Sequence, residues 1–232
     1  MHRRTAASAL SAVALVSLIA AGPAAAATLD PLKPCYVSVT TRADGKTRIE
    51  REKIDVSGTG FAPGSLVDLS VEGRVVRTGV GTDAAGNLPS QLIESPYRGG
   101  PPRPFTVTAA EQGNPGSSAT LTSEATALNV GVAPSSARPS QRVTFRGRGF
   151  TGTGPVYAHY LFGGKVRRTV VLAAAQGPCG TFTVRRRQIP VKRARIGKWT
   201  LRVDQQKRYS PNPASVWVSI PITVERRLRL PR

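Results

Sequence analysis

An all-β chain of two tandem antiparallel sandwiches behind an N-terminal export signal is predicted by three observations. Apolar residues recur with period two. A Gly-x-Gly-Phe stretch occurs twice, at Gly58–Phe61 and at Gly147–Phe150, 89 residues apart, which is the length of a small sandwich. The 23 glycines and 19 prolines interrupt every window outside the leader that could otherwise hold a helix.

The leader comes first in the chain. MHRRTAASALSAVALVSLIAAGPAAAA has a short basic start, an apolar run and a small-residue ending, the order an export signal requires. The apolar run Ala9–Ala21 is 13 residues long, against the ~20 that cross a bilayer, so a transmembrane anchor is not expected. Arg3 and Arg4 lack the remainder of a twin-arginine pattern, which favours the general secretory route. Cleavage is expected after Ala25, Ala26 or Ala27. No cysteine follows the apolar run, and the C-terminal ERRLRLPR offers neither a second apolar segment nor a wall-sorting signal. The mature chain is expected outside the membrane, secreted or held non-covalently at the wall.

The repeat divides what remains into residues 28–130 and 131–232. VSGTGFAPGSLVDLSVEG aligns with FRGRGFTGTGPVYAHYLFGG, GTDAAGNLPSQLI with AAAQGPCGTFTVRRRQI, RPFTVTA with GKWTLRVD, and ATALNV with VSIPITV. GVAPSSARP, Gly131–Pro139, suits a linker or the entry to the second unit. In LVDLSVEG, Val67, Leu69 and Val71 alternate with Leu66, Asp68 and Ser70. In KWTLRVDQ, Trp199, Leu201 and Val203 share one face while Thr200, Arg202 and Asp204 share the other, as in a sheet with one wet side. YLFGGKVRRTVVL predicts a hairpin turning at Gly163-Gly164, and TDAAGN a slightly longer turn of the same kind.

VSGTGFAPGSLVDLSVEGR followed by TDAAGN resembles the bacterial Ig-like repeats of secreted and surface proteins, including the IPT/TIG group, whose repeats open with a strand, a Gly-x-Gly-Phe corner and a Pro-Gly turn. The second unit keeps Gly147, Gly149 and Phe150 but has TGTGP in place of APGS. The resemblance implies Ig-like sandwiches and adhesion, spacing or display roles, and brings no catalytic residues. The whole chain is also similar to exported two-domain proteins of high-GC bacteria.

Other motifs have plainer readings. GRGFTG, Gly147–Gly152, fits a dinucleotide fingerprint, yet such a fingerprint works only between a strand and a helix, and a further strand is expected here. DAAGN holds one carboxylate, too few for a calcium loop and normal for a turn. His159 is the one histidine beyond the leader, flanked by strand residues, with only Asp204 and Glu225 as acids in its unit, and no nucleophile elbow accompanies it. His159, Cys35 and Cys179 lack the paired spacing of a metal site. No catalytic, cofactor or metal residues are therefore expected, and the chain reads as a non-enzyme.

Cys35 and Cys179 fall in different units. An inter-domain disulfide, two buried free thiols and intermolecular pairing all fit an exported chain, with unpaired or conditionally paired thiols slightly favoured. Geometry decides, because bonded α-carbons lie within roughly 7 Å.

Charge is the informative feature. Residues 28–130 carry 10 Lys+Arg against 11 Asp+Glu, whereas residues 131–232 carry 21 against 2. Arginine enrichment from base composition would touch both halves, so the asymmetry points to contact with acidic surfaces. The expected polyanion-binding residues are Lys165 and Arg167 on the hairpin, Arg185, Arg186 and Arg187 on the following strand, and Lys192, Arg193 and Arg195 in the loop beyond. Lys165 and Arg167 share one side of the hairpin and Arg185 and Arg187 one side of the next strand, and where these sides coincide one sheet presents a basic plane. The partner implied is an anionic cell-envelope polymer or another extracellular polyanion. Sequence-specific nucleic-acid binding is not expected, since the available tyrosines are not interleaved with the basic run. The competing expectations are a purely structural secreted domain and a carbohydrate-active accessory domain, the latter requiring an acid-lined pocket around His159.

Overall fold

A computed structural model describes residues 26–43, 46–212 and 215–225. The expected leader, residues 1–27, lies outside the described residues except for Ala26 and Ala27. Among the described residues there are sixteen strands and no helix. The first nine are β1 (Thr28–Leu29), β2 (Cys35–Ala43), β3 (Lys46–Arg51), β4 (Lys53–Thr59), β5 (Leu66–Val71), β6 (Arg74–Gly81), β7 (Leu88–Glu94), β8 (Arg103–Glu111) and β9 (Asn114–Ala127). The other seven are β10 (Asn129–Ala133), β11 (Arg142–Arg148), β12 (Pro155–Phe162), β13 (Lys165–Ala174), β14 (Phe182–Arg187), β15 (Gly197–Asp204) and β16 (Val218–Val224).

They form four sheets. The first half has a three-stranded sheet ordered β1-β4-β7 and a six-stranded sheet ordered β3-β2-β9-β8-β5-β6. The second half has β10-β11-β14 and β13-β12-β15-β16. Matched by position in the repeat, the two halves have the same strand order, and the hairpin β2–β3 is an addition to the first. Apolar alternation decides which side of each strand turns inward: Ile54 and Val56 of β4 are buried while Lys53 and Asp55 are exposed, and Val67, Leu69 and Val71 of β5 are buried along one face.

Two cores result. One gathers Ile54, Val56 and Ile93 from the three-stranded sheet with Val67, Leu69 and Val107 from the six-stranded one. The other gathers Val143, Phe145 and Phe182 with Ala158, Tyr160, Leu201 and Val203. Each fully buried Val, Leu or Phe in such a core contributes roughly 1.5–3 kcal/mol. Val37 of β2 and Leu128 belong to the second core although both precede residue 131. Gly131–Ala133, expected to link or enter the second unit, is already part of β10 and pairs with β11.

The repeated corner has the same geometry in both halves. Phe61 donates its amide to the Gly86 carbonyl (3.2 Å), and Phe150 donates to the Gly180 carbonyl (3.3 Å). Gly86 and Gly180 have φ of 78° and 54°, and a Cβ on either would run into the carbonyl oxygen of the phenylalanine it faces. The hairpin at Gly163-Gly164 forms with φ of 59° and 72°. TDAAGN differs from expectation. It is not a hairpin turn, because β6 and β7 belong to different sheets, and it carries the chain from one to the other. Asp83 Oδ1 accepts from the amides of Ala85 and Asn87, and these bonds hold its carboxyl below the usual range, the Asn87 amide being the largest cause.

Cys35 and Cys179 are joined in a disulfide, with α-carbons 5.2 Å apart, which corrects the expectation of unpaired thiols. The added hairpin is the reason. β2 pairs in parallel with β9, setting Cys35 opposite Glu124, and the Gly149 amide donates to the Cys179 carbonyl (2.8 Å), so the second corner abuts the same place. Both cysteines are buried.

Candidate anion-binding face

On β11 the core-facing residues are Val143, Phe145 and Gly147, so Arg142, Thr144, Arg146 and Arg148 point away from the core. Antiparallel partners share a face. Arg142 is opposite Arg187, Thr144 opposite Arg185, and Arg146 opposite Thr183 on β14, while Arg148 is opposite Asn129 on β10. The outer side of this sheet therefore carries five arginines interspersed with Thr144, Thr183 and Asn129. Four of the five are exposed, and Arg148 is half-buried. Among the described residues none of the five forms an ion pair with a carboxylate. Of the second half's two acids, Asp204 is fully buried in the other sheet and Glu225 follows β16.

The structure rearranges the expected site. Arg185 and Arg187 are on this face. Arg186, opposite Val143, leaves β14 on the core side and is exposed at the sheet edge. Lys165 and Arg167 are exposed on β13, an edge strand of the other sheet, so their side and that of Arg185 and Arg187 do not coincide in one plane. The crossover of residues 175–181 separates the two strands and passes the chain to the opposite sheet. Lys192, Arg193 and Arg195 are exposed in the loop before β15, whose backbone is tied down where Trp199 Nε1 donates to the Arg195 carbonyl (2.9 Å). Sequence reasoning misses Arg142, Arg146 and Arg148, although RVTFRGR alternates as plainly as LVDLSV.

A second polar cluster lies on the outer side of the four-stranded sheet. Thr200, Arg202 and Asp204 were expected to face solvent, but Arg202 is 5% exposed and Asp204 0%. The stretch following β15 folds back over them. The Arg202 guanidinium stacks on Trp217 (4.1 Å to the ring centroid) and Tyr209 (5.2 Å), and its Nη1 donates to the Pro211 carbonyl (3.0 Å). His159 Nε2 lies 3.2 Å from Asp204 Oδ1 and 3.1 Å from the Gln206 carbonyl, and Nδ1 lies 2.9 Å from Thr169 Oγ1. A carbonyl only accepts, so Nε2 carries the proton and Thr169 donates to Nδ1 when the ring is neutral. His159 is fully buried with both nitrogens engaged.

No protein-family model matches the chain, and no curated protein matches it.

Proposed function

We propose that this chain is an exported, non-enzymatic protein of two tandem Ig-like sandwiches whose second unit holds it to an anionic polymer of the cell envelope. The observation that carries the reading is the outer face of β10-β11-β14, where five arginines share one side, two of them directly opposite each other, without ion-paired carboxylates among the described residues. Arg142 and Arg187 are the sharpest case, because like charges directly opposite on neighbouring strands destabilise a sheet. An anionic ligand offsets that repulsion, and guanidinium forks suit phosphate or carboxylate. The inter-unit disulfide supports export, since such bonds persist in oxidising compartments. The buried, hydrogen-bonded state of His159 supports a structural role for it rather than an acid–base one.

The test is binding of the full mature chain to purified cell-wall fragments and to soluble anionic polymers across a salt series. Affinity is expected to fall as salt rises, and the slope of log affinity against log salt to shrink by about 0.7–0.9 for each contacting arginine removed. Absence of binding at low ionic strength defeats the reading and leaves a purely structural secreted protein.

A further inference from the structure

A groove opens at one end of the arginine face, between Pro101–Pro102 of the first half and the side chains of Arg146, Arg148, Thr181 and Thr183. Its geometry is tied to the inter-unit bond. Gln176 and Thr181 exchange two backbone hydrogen bonds of 2.8 Å, and within the loop they close lies Cys179, bonded to Cys35. Arg148 Nη2 donates to the Gly99 carbonyl (3.2 Å), which draws its guanidinium toward the first half, while its Nε is buried and has no hydrogen-bond partner among the described residues. The groove is therefore walled by both halves and continuous with the five-arginine face.

The donors on this surface are arranged for a tetrahedral anion. Arg146 faces Thr183, and Arg185 faces Thr144, so in two places a guanidinium and a hydroxyl stand on adjacent strands on the same side. A carboxylate accepts chiefly within its own plane, where one guanidinium fork already engages both oxygens. A phosphodiester's two free oxygens sit on a tetrahedral phosphorus and accept in directions not confined to one plane, which suits donors from two strands at once. Outward positions repeat every second residue, about 6.8 Å apart along a strand, which suits a linear chain of regularly spaced charges. The face contains no aromatic residue: its outward positions are Arg, Thr, Asn, Gly and Ala. Stacking platforms for nucleic-acid bases are missing from it, which favours a phosphodiester chain without bases.

We infer that the arginine face and the inter-unit groove bind a linear polyol-phosphate polymer, with the chain running along β11 from Arg142 and a phosphate seated in the groove at Arg148. This rests on the polyanion reading above and specifies its ligand. The test uses the full mature chain with three probes of matched charge: poly(glycerol phosphate), polygalacturonate and oligothymidylate. Poly(glycerol phosphate) is expected to bind at least about fivefold tighter than polygalacturonate, and Arg148→Ala to lower that affinity about tenfold, the scale of a charge-assisted hydrogen bond. Arg148→Lys keeps the charge but loses the fork, so it should lower the affinity for poly(glycerol phosphate) less than Arg148→Ala does. Thermal unfolding of each variant checks that the fold is intact, and Thr183→Ala reports on the hydroxyl should Arg148→Ala fail to fold. Equal affinity for the phosphate and carboxylate polymers overturns this inference but leaves the binding face standing. Tighter binding of oligothymidylate than of poly(glycerol phosphate) overturns it in favour of nucleic acid. Failure of all three probes overturns the face as well.

Discussion

Arg142 and Arg187 are cross-strand partners on β11 and β14, on the same outward side, with no ion-paired carboxylate beside either among the described residues. A sheet selected for stability alone would alternate charges at such a pair. Arg187→Glu should stabilise the protein by about 0.2–1 kcal/mol in urea unfolding while weakening polymer binding. A variant that gains stability and binds unchanged would remove this pair from the binding face.

Removing the disulfide by Cys35→Ala with Cys179→Ala should lower stability by about 2–5 kcal/mol, since the bond closes a 144-residue separation. Thiol titration of the unfolded, unreduced protein should find no free thiol. Two reactive thiols per chain would contradict the pairing.

Gly86→Ala and Gly180→Ala should each cost about 2 kcal/mol or more, because each forces a left-handed backbone on an L-residue and drives a Cβ toward a phenylalanine carbonyl. Gly164→Asn, in the open hairpin turn, is the control and should cost little. Equal losses at all three sites would mean that the corners are not what fixes these glycines.

Asp204→Ala should destabilise by about 3–5 kcal/mol, since it leaves the buried Arg202 without a nearby carboxylate and opens one of His159's bonds. Tryptophan fluorescence should report the loosening of Trp217 from Arg202 at denaturant concentrations below the main transition.

Burial raises the Tyr160 phenol above its ordinary value, so the folded chain keeps that proton where the unfolded chain loses it. Stability should be unaffected by this group below pH 10 and fall as pH rises beyond it, by up to about 1.4 kcal/mol per pH unit. Tyr160→Phe should flatten the alkaline limb of the stability curve. An unchanged limb would place the titrating groups elsewhere.

The all-β character was legible because Val67, Leu69 and Val71 alternate, and because Gly60 and Gly149 mark a corner that packing against the chain requires. The arginine face was only half legible. Arg185 and Arg187 stood out as a run, but register decides which strands share a sheet, and neither the passage of β14 to the sheet opposite β13 nor its pairing with β11 is written in local pattern. Arg142, Arg146 and Arg148 are spaced singly along a strand, so no local run of charge marks them. Arg202 and Asp204 were misplaced for a related reason: alternation says which side a residue takes, not what later folds over that side. The pairing of Cys35 with Cys179 depends on the added hairpin, which has no counterpart in the second copy and so could not be aligned.

Val37 and Leu128 supply side chains to a core that otherwise belongs to the second half. Cutting the chain between Val130 and Gly131, the boundary the repeat suggests, would strip that core of three buried aliphatic residues, including Val130 itself, and leave Cys179 without its mate. The basic half is thus a borrower from its neighbour: a fragment made by halving the gene at the repeat would misreport both the fold and the ligand affinity of the intact molecule.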